Sequence, residues 1–267
     1  MPGLKDLDAY LARIGLSGRP GLAEVHRAHA TSIPFENLDS CNGAPVSLDP
    51  GRLEDKLVAR RRGGYCFEQN LLLAMALESL GIGPVTPMLA RVLVGGDGSP
   101  RPRTHLVLQV LDGATAWHAD VGFGAGGPLD PIPFGPGDEQ DQEGWRYRVI
   151  EAGDELILQS YGDGAWEDQY SFEPRPVPFV DIETSNWFVS TWPDSPFVAS
   201  AILGAHRVGT QLMLRVAEAA VLTERTPTRS TESPVTLDEV PRVLAERFGL
   251  AGTRIGPRGL PTAGEDR

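Results

Sequence analysis

The chain has 267 residues, of which 41% are hydrophobic and 22% are charged, as in an ordinary globular protein. Its formal net charge of −12 makes nucleic acid a poor partner, because a phosphate backbone is held by basic surface. Two cysteines, Cys41 and Cys66, are too few for a disulfide framework and predict a reducing compartment, with Cys41 as a small structural residue. The sequence shows no signal-peptide core and no apolar run that spans a bilayer, so we expect a cytoplasmic protein with no membrane partner.

The first part of the chain, to about residue 82, is predicted to be helical. Apolar residues recur at helical spacing over 4–15 and again from residue 21, and residues 53–60 are typical of a further short helix. A proline blocks helix continuation within residues 32–39, which are therefore predicted to form a turn or an extended segment.

A glycine pair and a cysteine stand directly before an apolar run. Gly63 and Gly64 precede Cys66, and residues 71–77 are apolar up to a predicted helix end at Gly81. Cys66 then falls in the first turn of a buried helix, where unpaired backbone N–H groups and the helix dipole favour an anion such as a thiolate. The alternative is a buried, unreactive cysteine.

After residue 83 the pattern changes to strands. The Asp112-Gly113 pair, between two apolar segments, indicates a hairpin. The region is predicted to form an antiparallel sheet or small barrel. Its predicted strands are 85–94, 104–111, 116–121, 145–151, 156–160 and 166–172.

The C-terminal part mixes both types of element. A proline-broken crossover is predicted over 173–180, strands over 211–216 and 220–222, and a helix over 237–248. From residue 262 we expect disorder.

Two short patterns resemble ligand sites but lack the required context. His26 and His29 lie three residues apart, yet no further Cys or His nearby completes a metal site, and no metal is expected. Residues 122–127 match G-x-G-x-x-G, but prolines follow in place of a helix, which argues against a dinucleotide site.

A nucleophilic cysteine needs a base, and the base needs a group that orients it. His105 lies on one predicted strand and Asp120 at the end of its hairpin partner, so imidazole and carboxylate can meet across the two strands. With Cys66 on a helix packed against the sheet, the three form a candidate triad. His118 is two residues from Asp120 and shares its face of the strand, so spacing alone leaves it open as the base.

Several motifs, in order along most of the chain, resemble those of the arylamine N-acetyltransferase family. They are Ile-Pro-Phe-Glu-Asn-Leu at 33–38, Arg-Arg-Gly-Gly-Tyr-Cys-Phe-Glu-Gln-Asn at 61–70, Thr104-His105-Leu106, Asp120-Val121-Gly122-Phe123-Gly124, and Asn186-Trp187 followed by Ser190-Thr191, Pro193, Ser195 and Phe197. The resemblance implies an α+β fold with a core like that of cysteine proteases. Its expected parts are an N-terminal helical bundle with the cysteine (1–82), an antiparallel β-barrel with the histidine and aspartate (83–180), and a C-terminal α/β lid (181–267).

By position in these motifs, the resemblance assigns the triad to Cys66, His105 and Asp120 and leaves His118 as a structural or pocket-edge residue. It implies acetyl-CoA as acyl donor, an arylamine, hydrazine or N-hydroxyarylamine as acceptor, and ping-pong kinetics through an acetyl-cysteine.

The resemblance also implies contacts around the triad. The glycine-rich loop is expected to pass close to CoA through its backbone N–H groups, at Gly124, Gly126 and Gly127. Aromatic rings are expected around an aryl acceptor at Phe35, Phe123 and Phe197. Glu36 and Arg62 are expected to form a buried ion pair that supports the cysteine loop.

Three alternatives stay open. An amide synthase or longer-chain acyltransferase of a biosynthetic pathway would carry the same triad, and a cysteine hydrolase or transglutaminase-like enzyme uses related groups. A non-enzymatic relative is the third. The sequence leaves the physiological acceptor, a detoxifying or biosynthetic role, and the oligomeric state open.

Overall fold

The computed structural model describes residues 2–207, 209–253 and 255–256. The disorder predicted from residue 262 lies outside these residues. Across the described chain, we find no helix with the length and apolar character needed to cross a bilayer.

The first part of the chain is helical, as predicted. Its elements are α1 Leu7–Arg13, α2 Leu22–Ser32, the two-residue strand β1 Phe35–Glu36, α3 Leu38–Cys41, α4 Pro50–Leu53 with a π-helical turn over Glu54–Ala59, and α5 Cys66–Leu80. Helix α5 begins at Cys66 because the Glu68 carboxylate accepts the Tyr65 N–H at 3.1 Å. It ends at Gly81, whose φ of 74° a glycine adopts without strain.

Helix α5 is buried on nearly every side, which explains its apolar run. Leu72 and Leu77 pack with Tyr10 and Val25 of the first two helices, and the same cluster includes Leu108 of the sheet described below. Burial of each such leucine contributes about 2 kcal/mol, so the helix that carries Cys66 is held firmly between the bundle and the sheet.

The middle of the chain forms an eight-stranded antiparallel sheet with the order β5-β4-β3-β2-β9-β8-β7-β6. Its strands are β2 Val85–Val92, β3 His105–Asp112, β4 Thr115–Ala119, β5 Ile132–Pro133, β6 Gln140–Gln142, β7 Trp145–Ala152, β8 Glu155–Gly162 and β9 Ala165–Phe172. The Gln142 side chain on one edge strand accepts the N–H groups of Leu129 and Asp130 beside the other edge, at 2.8 and 3.0 Å. The sheet is thus a nearly closed barrel, which confirms the predicted fold class.

The C-terminal part contains more regular structure than its sequence indicated. Its elements are α6 Phe179–Thr191, α7 Pro196–Ala199, β10 Ala201–Arg207, β11 Thr210–Val216, β12 Ala220–Thr226, β13 Arg229–Val235, a 3₁₀ turn over Leu237–Glu239 and α8 Val240–Phe248. The two predicted strands and the last helix are present. Helix α6 and strands β10 and β13 were not predicted. The sequence does not indicate β13 because this strand is polar and largely exposed, without an alternating pattern.

Strand β1 joins the first part of the chain to this C-terminal sheet. Phe35 pairs with Gly204 and Glu36 with Leu203 of β10, giving the order β1-β10-β11-β12-β13. On its other side, the Glu36 N–H donates to the Gly64 carbonyl at 3.0 Å. The loop that carries the cysteine motif is therefore connected through β1 to the C-terminal sheet. The domain boundaries at residues 82 and 180 stay predictions.

Candidate active site

Cys66 lies at the first position of α5 with 3% of its surface exposed. Its Sγ lies 3.7 Å from the carbonyl of Thr104, the residue before His105. Two glycines allow the close packing there: a Cβ on Gly63 would lie 2.1 Å from the Pro34 carbonyl oxygen, and one on Gly122 would lie 2.6 Å from the Cys66 Cα. The glycines around the cysteine are thus required by space.

His105 begins strand β3, and Asp120 directly follows β4, its hairpin partner. The His105 Nε2 and the Asp120 Oδ2 are 2.7 Å apart, and both side chains are almost completely buried. Burial alone would lower the pKa of His105, but Asp120 and the adjoining Cys66 sulfur raise it to about 10. The structure therefore brings the three candidate residues together, with His105 between the other two.

Asp120 is surrounded by hydrogen-bond donors. Its Oδ1 accepts from the Asn70 amide at 2.8 Å and the Gly122 N–H at 2.9 Å, and its Oδ2 accepts from His105 and, at 2.8 Å, from the Tyr170 hydroxyl. Four donors fill the acceptor capacity of a carboxylate. Burial would raise the pKa of Asp120, but His105 and Asn70 outweigh it and hold that pKa well below its ordinary value.

His118, which spacing left open as the base, occupies a different place. Its Nε2 lies 2.7 Å from the Tyr170 hydroxyl, and Tyr170 gives its single proton to Asp120. His118 must then donate from Nε2 to the Tyr170 oxygen. Burial lowers the pKa of His118 to about 4, so the ring is neutral and reaches Asp120 only through Tyr170.

Sequence reasoning missed three residues of this cluster. Asn70 lies four residues after Cys66 in α5, a spacing that puts both on one helix face and that would have identified it. Tyr170 comes from β9, and His26 accepts the Asp120 N–H at 3.0 Å from α2. For Tyr170 and His26 the sequence contains no signal, because each meets Asp120 only through the tertiary packing.

A chain of charged side chains lies under the cysteine loop. Arg62 contacts Glu36 at 2.6 Å and Asp39 at 3.1 Å, so the expected ion pair is present and Glu36 is fully buried. Lys56 continues the chain, 2.7 Å from both Asp39 and Glu68. Because Glu68 also accepts the Tyr65 N–H, these charges connect β1 to the start of α5.

A cavity of about 320 Å³ contains most of the expected binding residues. Its lining includes Phe35, Phe123, Gly124, Gly126 and Phe197. The Phe123 ring also lies 5.0 Å from the His105 ring, which puts this aromatic cavity beside the candidate triad.

Two details of the glycine-rich loop follow from the same region. Gly127 does not line the aromatic cavity, and its carbonyl accepts the Tyr147 hydroxyl at 2.9 Å. The loop forms a short 3₁₀ turn over Gly124–Gly126 that no long helix follows, unlike a dinucleotide-binding loop.

The histidine pair in α2 is engaged by protein groups. His26 binds the Leu129 carbonyl at 2.9 Å, and His29 lies between the Tyr10 hydroxyl at 2.8 Å and the Gln69 amide oxygen at 2.7 Å. Among the residues that the structure describes, no group of three or more His, Cys, Asp or Glu side chains is arranged to hold a metal.

The fold and the comparisons with known proteins define the class. The family model described as N-acetyltransferase matches residues 20–254 of the chain. A helix-borne cysteine beside a histidine and an aspartate on a barrel agrees with acyl transfer, and the protein is an N-acetyltransferase.

Relatives narrow this class to one family. An arylamine N-acetyltransferase of Mycolicibacterium smegmatis is 44% identical over 203 residues, 72% of this chain and 74% of the relative. One of Mycobacterium tuberculosis is 34% identical over an alignment that covers 95% of this chain and 92% of the relative. The Mycobacterium marinum arylamine N-acetyltransferase in complex with CoA superposes with a TM-score of 0.88 at 33% identity, covering 95% and 96% of the two chains. The chain belongs to the arylamine N-acetyltransferase family, which confirms the resemblance.

Proposed function

We propose that the protein transfers the acetyl group of acetyl-CoA to arylamines, hydrazines or N-hydroxyarylamines through an acetyl thioester on Cys66. The observation that carries the proposal is the position of His105, which adjoins the Cys66 sulfur and binds an ionised Asp120 at 2.7 Å. A related protein of Salmonella typhimurium, 35% identical over 205 residues, is named arylamine N-acetyltransferase / N-hydroxyarylamine O-acetyltransferase.

In the first half-reaction His105 holds the proton of the Cys66 thiol. The Cys66 sulfur attacks the thioester carbonyl, its bond to the acetyl carbon forms, and the bond from that carbon to the CoA sulfur breaks. Backbone N–H groups in the first turn of α5 lack intrahelical acceptors, and we assign them as the donors to the developing oxyanion. The proton on His105 passes to the departing CoA sulfur.

In the second half-reaction the amine attacks the acetyl carbon on Cys66. His105 takes the proton that the nitrogen loses and returns it to the Cys66 sulfur as the carbon–sulfur bond breaks. Asp120 keeps the imidazole oriented through both steps and stabilises its charged form, because its four donors fix the carboxylate in place.

The aromatic cavity suits both substrates. Phe35, Phe123 and Phe197 offer ring faces and edges to a flat acceptor. The same cavity is lined by Arg225, which forms no ion pair within the described residues and is a suitable partner for a phosphate of CoA. We assign the buried Glu36 and Arg62 pair the role of fixing the cysteine loop.

The cytoplasmic location remains part of the proposal. It is supported by the cysteine content and by a donor, acetyl-CoA, that is made and used inside cells.

Mass spectrometry of the intact protein with acetyl-CoA alone tests the proposal. We expect one acetyl group per chain, on Cys66, and its loss on addition of an arylamine. Cys41 is an internal control, because burial and the nearby Glu36 raise the pKa of its thiol to about 12. A mass that never changes, or acetylation that persists in Cys66→Ala, would overturn the proposal.

A longer acyl donor is the second candidate, favoured by one relative. An N-malonyltransferase of Gibberella moniliformis is 32% identical over 224 residues, 71% of this chain. Competition between equal concentrations of acetyl-CoA and malonyl-CoA in the same mass measurement separates the two. Predominant malonylation of Cys66 would favour the second candidate and leave the triad assignment intact.

A further inference from the structure

A second cavity, of about 800 Å³, lies between α5 and α6 and shares no lining residue with the aromatic cavity. We refer to it as the α5–α6 cavity. Its walls come from Leu71 and Met75 of α5, from Ile182, Glu183 and Asn186 of α6, and from the segment 46–53. Its volume lies in the range that accommodates a drug-sized molecule.

The most buried residues that line the α5–α6 cavity are apolar, and its charged lining residues are acidic. Leu53, Leu71, Met75 and Ile182 are each at most 1% exposed. Its charged lining residues are Asp49 and Glu183, and no Lys, Arg or His of the described chain lines it. An apolar body is therefore stabilised inside, and a cation is favoured at the rim.

Glu183 is the carboxylate available to a ligand. Asp49 caps α4 by accepting the Arg52 N–H at 3.0 Å, and the Lys5 ammonium lies close by, beside Gly51. The Glu183 side chain is exposed on α6, and its carboxylate forms no hydrogen bond or ion pair within the described residues.

We propose that the α5–α6 cavity binds an amphipathic organic cation, with its apolar body on Leu71, Met75 and Ile182 and its ammonium group at Glu183. The ligand is an aliphatic or quaternary ammonium compound. It differs in kind from an arylamine acceptor, whose nitrogen is uncharged at neutral pH and which would enter the aromatic cavity.

The α5–α6 cavity is linked to the nucleophile helix without reaching the sulfur. Asn186 of its wall accepts the Tyr65 hydroxyl and donates to the Val46 carbonyl at 3.0 Å, and Tyr65 is the residue before Cys66. Cys66 does not line the α5–α6 cavity, so binding does not depend on the proposed function and should be the same whether or not Cys66 can be acetylated.

The first test is calorimetric titration of the full chain with trimethyl(4-phenylbutyl)ammonium, which has no N–H to acetylate. We expect saturable binding at one site, equal in the wild type and in Cys66→Ala. The neutral 4-phenylbutanol should bind about fivefold more weakly, the usual size of one exposed charge pair, and 4-phenylbutyrate more weakly still. Equal affinity for all three probes would overturn the proposal.

Two variants locate the site. Glu183→Gln should weaken the cation about fivefold without changing binding of the alcohol, while Glu218→Gln, a second exposed carboxylate in the turn before β12, should change neither. Val177→Trp fills the α5–α6 cavity and should abolish binding of both probes. Unchanged cation affinity in Glu183→Gln would refute the assignment even if Val177→Trp fails to fold. Failure of Cys66 to take an acetyl group would leave this result untouched.

Discussion

Two buried polar clusters contact helix α5 within its first five residues, and they stabilise their buried carboxylates in different ways. Around Asp120, one carboxylate receives four donors, and its pKa stays well below the ordinary value. Around Glu68, the carboxylates of Glu36, Asp39 and Glu68 share the cations Arg62 and Lys56, which leaves one negative charge in excess. Burial then raises the pKa of Glu68 to about 7, although Lys56 opposes it.

The comparison teaches that the charge of His105, together with four hydrogen-bond donors, keeps the buried Asp120 ionised, whereas three carboxylates that share two cations leave Glu68 with a raised pKa. A carboxylate that accepts four hydrogen bonds can orient His105 at any pH near neutrality. The charged cluster lacks such a set of donors, and we propose that it holds the cysteine loop to β1. Each of the following experiments alters one of the two clusters or the contrast between them, except the last, which alters the aromatic cavity.

The largest effect is expected from Asp120→Asn. The amide cannot stabilise the His105 imidazolium, so the rate of acetyl transfer should fall roughly 10³–10⁴-fold. Steady-state kinetics and single-turnover acetylation of Cys66 measure it, with Cys66→Ala as the zero-activity reference. A rate within tenfold of the wild type would remove Asp120 from the triad.

Glu36→Gln should act on stability. It leaves Arg62 with Asp39 as its remaining partner in a buried site, and loss of one partner of a buried pair costs about 3–5 kcal/mol of unfolding free energy. Urea unfolding measures this cost. The exposed pair of Arg242 and Glu239 provides a matched control, because Glu239→Gln should cost less than about 1 kcal/mol. Equal costs in the two variants would show that the charged cluster does not support the loop.

The two clusters should respond to pH with opposite signs. Glu68 has a raised pKa of about 7 in the folded protein, so the folded state binds the extra proton between its ordinary value and pH 7. The unfolding free energy should therefore fall as pH rises through that window, by about 3 kcal/mol. Asp120 has a lowered pKa, so its contribution is present above its ordinary value and is lost as pH falls further.

Denaturant unfolding of the wild type and of Glu68→Gln across pH 4 to 8 measures the fall in unfolding free energy that we attribute to Glu68. The variant should not show this fall. If both proteins show the same slope, another group carries the dependence.

Tyr170→Phe should have a smaller effect on the rate than Asp120→Asn, and it also removes the acceptor of the His118 Nε2–H. It removes one of the four donors to Asp120, a loss of about 1.5–3 kcal/mol, and should lower kcat roughly tenfold to hundredfold with little change in KM for the amine. It should also shift the pH–rate profile, which a structural role alone would not do. Tyr161→Phe, on the neighbouring strand, is the control. An unchanged kcat and profile would mean that three donors are enough.

The smallest effect is expected at the rim of the aromatic cavity. Arg225→Gln should raise KM for acetyl-CoA about fivefold and leave kcat unchanged, because one half-buried charge contact at the cavity rim is lost. Arg215→Gln on the adjacent strand should be neutral. If both variants behave alike, Arg225 does not contact the phosphates.

Local pattern was sufficient for much of the fold. The bounds of α5, the Asp112-Gly113 hairpin and most barrel strands follow from apolar periodicity and turn residues, and these were predicted correctly. Helix α6 and strand β13 were not, because the first follows prolines and the second is a polar edge strand. The pairing of β1 with β10 joins residues far apart in sequence and leaves no local signal.

By itself, the sequence determined that a cysteine begins a buried helix and that a histidine and an aspartate lie on neighbouring strands of a hairpin, because these are consequences of spacing and turn residues. Spacing left the choice of histidine open and the family resemblance assigned His105, but only the tertiary structure shows the physical reason. By spacing alone, either His105 or His118 could be the base. Packing of β9 puts Tyr170 between His118 and Asp120 and leaves His105 beside Cys66. The physical reason is that a hydrogen-bond network closes across several elements at once, and no single segment encodes it.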